Sequence, residues 1–304
     1  MLETKMAETK MAETKMAETK MPGTDSSAQQ EIKQSSGGTA AGGNGDTHSW
    51  KHLLSRLRSY FIFNPLIWTY TTVLAILSLL SSFIDRGGRI QHGFARLWSW
   101  LILKTIFSPV TVVGLDRIDT SQPHLYAVNH ASAMDIPVLY VYLPFQFRIV
   151  AKKELFRYPF MGWHLKRSGQ VKVDQQNPGK SIGAMKSAVK TLQSGMPLVI
   201  FPEGGRTPNG QVRAFLPGAF FLAIKAQVDI VPMAIVGSYE LLPMNTFHIK
   251  PRQMQLLVGD PIPTKGFTLR DMEVVSEKVK KAVEDLYYSR SVSRIAAEKP
   301  QDRM

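Results

Sequence analysis

The chain has 304 residues, 44% of them apolar, enough for one α/β domain together with membrane-contacting segments. It contains no cysteine, which excludes a disulfide framework, a cysteine-ligated zinc site, an iron–sulfur cluster and a thiol nucleophile. The formal charge is +13, and residues 51–304 carry 32 basic against 17 acidic side chains. A body this basic expects polyanions: nucleic acid, phosphorylated metabolites or an anionic membrane surface.

The first 21 residues are built on a five-residue Met-Ala-Glu-Thr-Lys unit and give way to Ser/Gly-rich sequence. Five residues is too short a period for a solenoid, and no basic segment feeds an apolar core as in a secretory signal. Residues 1–48 are therefore expected to be a disordered, low-complexity leader.

From Ser59 to Ile84 there are 26 residues without a charge, about 39 Å as unbroken helix against a hydrocarbon layer of roughly 30 Å. Asn64-Pro65 interrupts the run. Lys51, Arg56 and Arg58 before it balance Arg86, Arg89 and Arg96 after it, so the positive-inside count is tied, as a re-entrant hairpin or a poorly biased single span would show; a buried core helix is the alternative. Phe94–Phe107 then sets Trp98 and Trp100 among Arg96 and Lys104, the pattern of a helix lying in the interface. Residues 49–108 are read as a membrane-associated helical motif.

From Pro109 short apolar runs alternate with helical patterns. The predicted strands are Val110–Val113, Leu125–Val128, Arg148–Ala151, Val171–Val173, Leu198–Phe201, Ile230–Val236 and Met254–Val258. The predicted helices are Pro137–Tyr142, Pro159–Arg167, Ser181–Ser194, Ala219–Ala226 and Leu269–Ser289. The fold class is α/β: a single domain over 109–290 with a largely parallel sheet and sites at strand C-terminal ends. Residues 291–304 read as a loose polar tail.

Two segments carry chemistry. Leu125–Val128 runs into Asn129, His130 and, at the next helix start, Asp135, where an N-cap belongs. Residues five apart on one helix diverge by about 140°, but a strand-end loop can fold the pair together. An imidazole held by a carboxylate on one nitrogen is a stronger base at the other. The alternative is a histidine satisfied by backbone beside a capping aspartate. In the second segment, the strand ending at Phe201 leads into Pro202, Glu203, Gly204, Gly205, Arg206 and Thr207. Glycines let amides approach a ligand and an arginine can fork onto phosphate; the alternative is a surface turn with a Glu–Arg pair.

NHASAMD (129–135) with FPEGGRT (201–207) resembles the paired signatures of the glycerolipid acyltransferase superfamily, in order with AKKELFRYPFMGWHL (151–165), GQVKVDQ (169–175), FLPGAFFLAIKA (215–226) and IVPMAIVGSYELLP (230–243). The chain is most similar to the 1-acylglycerol-3-phosphate acyltransferases. The resemblance implies an α/β core on a membrane-embedded helical motif and acyl-CoA or acyl carrier protein as donor. It implies lysophosphatidic acid as acceptor, the bilayer as partner, and a site on the cytosolic face of a membrane. It makes His130 the general base and Asp135 its orienting partner. It puts Asn129, Glu203, Gly204, Gly205, Arg206 and Thr207 at the acceptor with Arg206 on its phosphate, and Pro232 in the acyl-binding stretch. The family's usual Asp-Arg is Asp174-Gln175 here, and Leu216-Pro217 replaces a usual basic residue. Lys152, Lys153, Lys172 or Arg213 are the cations that could compensate.

Such a transfer needs no metal or cofactor, since a thioester is already activated. Other acceptors, glycerol 3-phosphate or another lysophospholipid, remain open. Rival readings are a lipid esterase, from Gly179-Lys180-Ser181-Ile182-Gly183 with Asp229 and His248, and a non-catalytic lipid-binding module. Nucleic acid is not an expected partner, because the tryptophans cluster with the apolar segments and no basic run interleaves with them.

Overall fold

In a computed structural model, residues 45–85, 87–159, 161–174 and 178–290 are described. Residues 1–44 of the expected 1–48 leader and the tail 291–304 lie outside them, and the last four leader residues are corrected: they begin a helix at Gly45. Ser49–Met304 forms one compact unit, apart from Met1–His48.

The first long helix runs almost unbroken. Helix α1 (Gly45–Arg58) passes through a π-helical turn, Ser59–Phe63, into α2 (Asn64–Ser81). Pro65 explains the turn. Its ring crowds the carbonyl four residues back and it brings no N–H, so the wider turn forms before it. Asn64 Nδ2 donates to the Ser59 carbonyl at 2.7 Å. A turn over residues 82–84 follows α2, and α3 (Arg89–Thr105) packs back against it, where Trp98 Nε1 donates to Thr71 Oγ1 at 2.7 Å. The expected interfacial helix is thus the return limb of a hairpin. Its His92, Ala95, Ser99, Ile102 and Leu103 face the core, while Leu97 and Trp100 stay exposed.

The sheet has seven strands: β1 (Val110–Val113), β2 (Leu125–Val128), β3 (Arg148–Lys152), β4 (Val171–Val173), β5 (Leu198–Ile200), β6 (Ile230–Val236) and β7 (Met254–Val258). Their order is β1-β7-β6-β2-β5-β3-β4, and only β6–β7 pairs antiparallel. All seven lie where the apolar runs put them, within a residue at either end. Central strands are buried on both faces, which is why they read as continuous apolar runs.

Side-chain alternation divides the core. Tyr126, Val128, Val199, Val231 and Met233 face α3 and α4 (Asp135–Tyr142). Leu125, Ala127, Leu198, Ile200 and Ile230 face α6 (Ile182–Gln193), α7 (Phe221–Ala226) and α9 (Met272–Arg290). Two short helices, α5 (Met161–Arg167) and α8 (Ser238–Leu241), complete the unit.

The apolar helix is docked on this unit at two separated points. Ser59 Oγ donates to the Ile249 carbonyl at 3.0 Å, and Ser78 Oγ lies 2.8 Å from His164 Nδ1 on α5. Nineteen helical residues separate these serines by about 28 Å. On the other side Leu53, Phe61, Leu66, Trp68, Val73 and Leu80 are exposed. Trp50–Ser81 is, among the described residues, one helix long and apolar enough to cross a membrane.

Candidate active site

The residues with chemical potential gather at the C-terminal ends of β2 and β5. Beyond β2 the chain cannot continue as strand, and Asn129 takes over the ladder with its side chain. Its Nδ2 donates to the Ile235 carbonyl at 3.1 Å and its Oδ1 accepts from Ile235 N at 2.7 Å. Asn129 is buried and touches β6, so what it holds is the take-off point of the next residue.

That residue is His130. Its Nδ1 lies 2.8 Å from Asp135 Oδ2, and Asp135 is fully buried while the imidazole keeps a partly open edge. The same Oδ2 accepts from Ala131 N at 2.8 Å and Ser132 N at 2.9 Å. An oxygen already receiving two N–H groups makes Nδ1 the third donor. Nε2 is then the nitrogen left with a lone pair. The expected N-cap geometry is corrected here. Met134 holds the cap position, without a side-chain bond, and Asp135 is the first helical residue. Its carboxylate is turned back to the loop, where three donors outweigh the helix's own amides.

The segment after β5 wraps around this histidine. Phe201 stacks on the imidazole, with ring centroids 4.1 Å apart and planes at 25°. Thr207 N donates to the His130 carbonyl at 2.8 Å, and Glu203 Oε1 accepts from His130 N at 2.7 Å. Both backbone groups of His130 are thus tied to one turn. Glu203 Oε2 accepts from Arg213 N at 3.1 Å, so one buried carboxylate bridges two loops. Burial pushes its pKa up to about 7, against the two amide bonds that lower it. The carboxylate expected at the acceptor is committed to backbone.

The turn itself is shaped by glycine. Gly204 has φ +70°, a conformation that a side chain disfavours. A Cβ on Gly205 would stand 3.1 Å from Lys152 Nζ and 3.9 Å from an Arg213 guanidinium nitrogen. The bare glycine face is therefore where Lys152, from the end of β3, and Arg213 converge, with Arg206 next in the chain. This is a cationic floor for an anion on the turn whose Glu203 and Thr207 hold the His130 backbone.

Not every expected residue joins it. Lys153 is paired with Asp174 at 2.8 Å. Lys172 sits exposed on the edge strand β4. Pro232 is buried level with Ala127, three residues short of His130, and its ring lies toward Gly259 on the face that α9 covers. The sheet does not bring it to the imidazole. The esterase constellation is not assembled either. Ser181 Oγ accepts from Asp174 N at 2.6 Å, while His248 Nε2 is 3.0 Å from Ser55 Oγ. A 3₁₀ turn, Pro178–Ser181, also separates that serine from β4. In the sequence Phe201 reads as the strand end and the first residue of the FPEGGRT signature, but not as a site residue.

Residues 109–236 match the model of the acyltransferase family. The chain is 29% identical over 216 residues to a chloroplastic 1-acyl-sn-glycerol-3-phosphate acyltransferase of Arabidopsis thaliana, which covers 69% of this chain and 60% of that protein. It is 31% identical over 172 residues to the alpha form from Homo sapiens, covering 56% and 61%. The enzyme of that name from Limnanthes alba is 27% identical over 77% and 82%. The chain thus spans about three fifths of the Arabidopsis and human proteins' length. The crystal structure of the 1-acyl-sn-glycerophosphate acyltransferase of Thermotoga maritima superposes with a TM-score of 0.62 at 24% identity, over 84% of this chain and 99% of that one. The fold is shared.

Proposed function

We propose that this chain is an acyltransferase of the family whose model residues 109–236 match, and that it acylates 1-acylglycerol 3-phosphate to phosphatidic acid. The donor in this reading is acyl-CoA or acyl carrier protein. The observation that carries it is the 2.8 Å contact between His130 Nδ1 and Asp135, with the Lys152–Arg213 floor on the turn that holds the His130 backbone. With Nδ1 held, Nε2 takes the proton of the acceptor's free hydroxyl as its oxygen attacks the thioester carbonyl. The tetrahedral intermediate collapses, the carbon–sulfur bond breaks, and the thiol leaves with a proton. Glu203 holds the loop backbone, and Lys152, Arg213 and Arg206 receive the phosphate.

The hairpin of α2 and α3 is read as seated in one leaflet. A helix pegged at Ser59 and at Ser78 to the same body cannot cross the bilayer unless that body enters it too. One wide exposed apolar face suits immersion parallel to the surface instead. The cytosolic face is the proposed side, because the acyl donor is supplied there.

The experiment is an acceptor panel on purified protein in micelles, with labelled acyl-CoA and lysophosphatidic acid, glycerol 3-phosphate or lysophosphatidylcholine. Labelled phosphatidic acid with the first acceptor alone is the expected result. Equal labelling of a neutral lysolipid would remove the phosphate floor from the account.

A further inference from the structure

A second cationic recess lies away from His130, where the apolar helix meets the loop after α8. It encloses about 500 Å³ and is lined by Arg56 and Tyr60 from the helix and by Asn245, Phe247, His248 and Lys250 from the loop. The loop is fixed on the helix by three bonds. Asn64 Nδ2 donates to the Phe247 carbonyl at 2.9 Å, Ser59 Oγ to the Ile249 carbonyl, and Ser55 Oγ meets His248 Nε2. The recess is therefore built and not a gap between loose segments.

Its charge is one-sided. No carboxylate lines it, and Arg56, Arg58 and Lys250 enter none of the ion pairs found among the described residues. Burial and then the cations around it, Lys250, Arg56, His52 and Arg58, hold His248 below the ordinary imidazole pKa. Gathering like charges is unfavourable unless an anion completes the group. Position names the anion's surroundings. Leu53, Leu57, Phe61 and Ile62 are exposed on the neighbouring helix surface, and Trp50 and Tyr60 are exposed aromatics of the same helix. Amphipathic aromatics mark the depth of lipid headgroups.

We propose that this recess binds the phosphate of an anionic glycerophospholipid of the host leaflet, a lipid distinct from the acceptor that is acylated. The headgroup phosphate sits between Arg56 and Lys250, Asn245 supplies further polar contact, and Tyr60 and Phe247 flank the glycerol and upper chains. The loop that forms the recess begins at Leu242, whose carbonyl accepts from Ser132 Oγ at 2.8 Å. A seated headgroup therefore braces the His130 loop from outside while setting its height above the membrane. The proposal rests on the leaflet-seated reading of the hairpin.

The test is flotation of the full-length protein with vesicles of phosphatidylcholine alone or mixed with phosphatidylglycerol. Two variants are compared: Arg56→Gln/Lys250→Gln and the charge-matched Lys278→Gln/Lys281→Gln, whose exposed lysines sit on α9 across the sheet. Wild type should prefer the anionic vesicles. The first variant should lose about thirtyfold of that binding, since each basic residue at such a surface contributes about fivefold. The second should lose less than about threefold, and acyl transfer in neutral micelles should stay at the wild-type rate in both.

Equal loss in both variants would reduce the effect to diffuse charge and overturn the proposal. So would wild-type flotation by Arg56→Gln/Lys250→Gln. Displacement from anionic vesicles by free glycerol 3-phosphate would make the ligand a soluble phosphate. If wild type floats equally with both vesicle types, the recess fails while the leaflet seat stands. If it floats with neither, the seat itself fails.

Discussion

The loops around His130 and the hairpin of α2 and α3 are fixed by opposite means. Around His130 the polar groups are mutually committed: Asp135 holds three donors, Glu203 two amides, and Asn129 an amide and a carbonyl. In the hairpin, α3 packs an apolar stripe into the core, while α2 leaves a broad apolar face open and is held to the body by a few isolated pegs. The difference follows from the tasks. A base must hold its lone pair to within a fraction of an ångström, which takes several directional bonds on each group. A seat in lipid needs apolar area, which is not directional, and pegs enough to keep the body at one height.

The contrast breaks most visibly at the base. Replacing His130 by Ala should lower phosphatidic acid formation by about 10²–10⁴-fold, the usual worth of general-base catalysis. The protein should stay folded and keep its vesicle flotation, because the backbone bonds of His130 to Glu203 and Thr207 do not need the ring; its melting temperature should fall modestly with the lost Asp135 contact and Phe201 stack. Residual turnover within tenfold of wild type would assign the proton to another group.

Glu203 tests whether density of bonding carries an electrostatic cost. Its folded pKa of about 7 stands above the ordinary 4.5. Between those values the folded protein holds a proton that the unfolded chain has released, so raising pH from 5 to 7 weakens folding. The swing is roughly 2–4 kcal/mol, and above pH 7 it levels off. Glu203→Gln removes the titration, and denaturant unfolding across this window should lose that slope. An unchanged slope would mean that another group sets it.

A smaller effect is expected at the cationic floor. Lys152→Ala or Arg213→Ala should raise KM for the phosphorylated acceptor about tenfold with kcat largely kept, as each removes one charged contact. Loss of kcat alone would put these side chains at the reacting carbonyl instead.

These outcomes also mark how far the sequence was legible. The seven strands were, because central parallel strands are apolar runs bounded by loops, a local property. The His130–Asp135 meeting was legible in part: a strand-end loop can fold the pair together, but those residues alone fit a backbone-satisfied histidine beside a capping aspartate as well. What escaped depends on distant approach. Glu203 lies 73 residues from His130, and nothing near it discloses that both its oxygens go to backbone. Resemblance alone puts Pro232 in an acyl-binding stretch, and the sequence does not say that its ring lies toward Gly259 on the face under α9. Arg213 was one cation among several until Gly205 showed where it converges with Lys152. The hairpin was undecided for another reason: a tied charge count says nothing of pegs such as Ser78 to His164.

The mildest prediction is the sharpest test of the contrast. Thr71→Val keeps the shape of the side chain but removes the acceptor of Trp98 Nε1, leaving a part-buried indole N–H without its partner. The cost should be about 1–2 kcal/mol, read as a lower melting temperature in detergent. Apolar area is untouched, so vesicle binding should stay the same, and so should turnover, since no His130 contact runs through α2. A variant that melted earlier yet worked at full rate would show the pegs of the hairpin to be mechanical, separable from the bonds that aim the base. If turnover fell as far as in His130→Ala, the hairpin and the loops would have to be treated as one catalytic device, with the tilt of α2 against α3 as part of the aim.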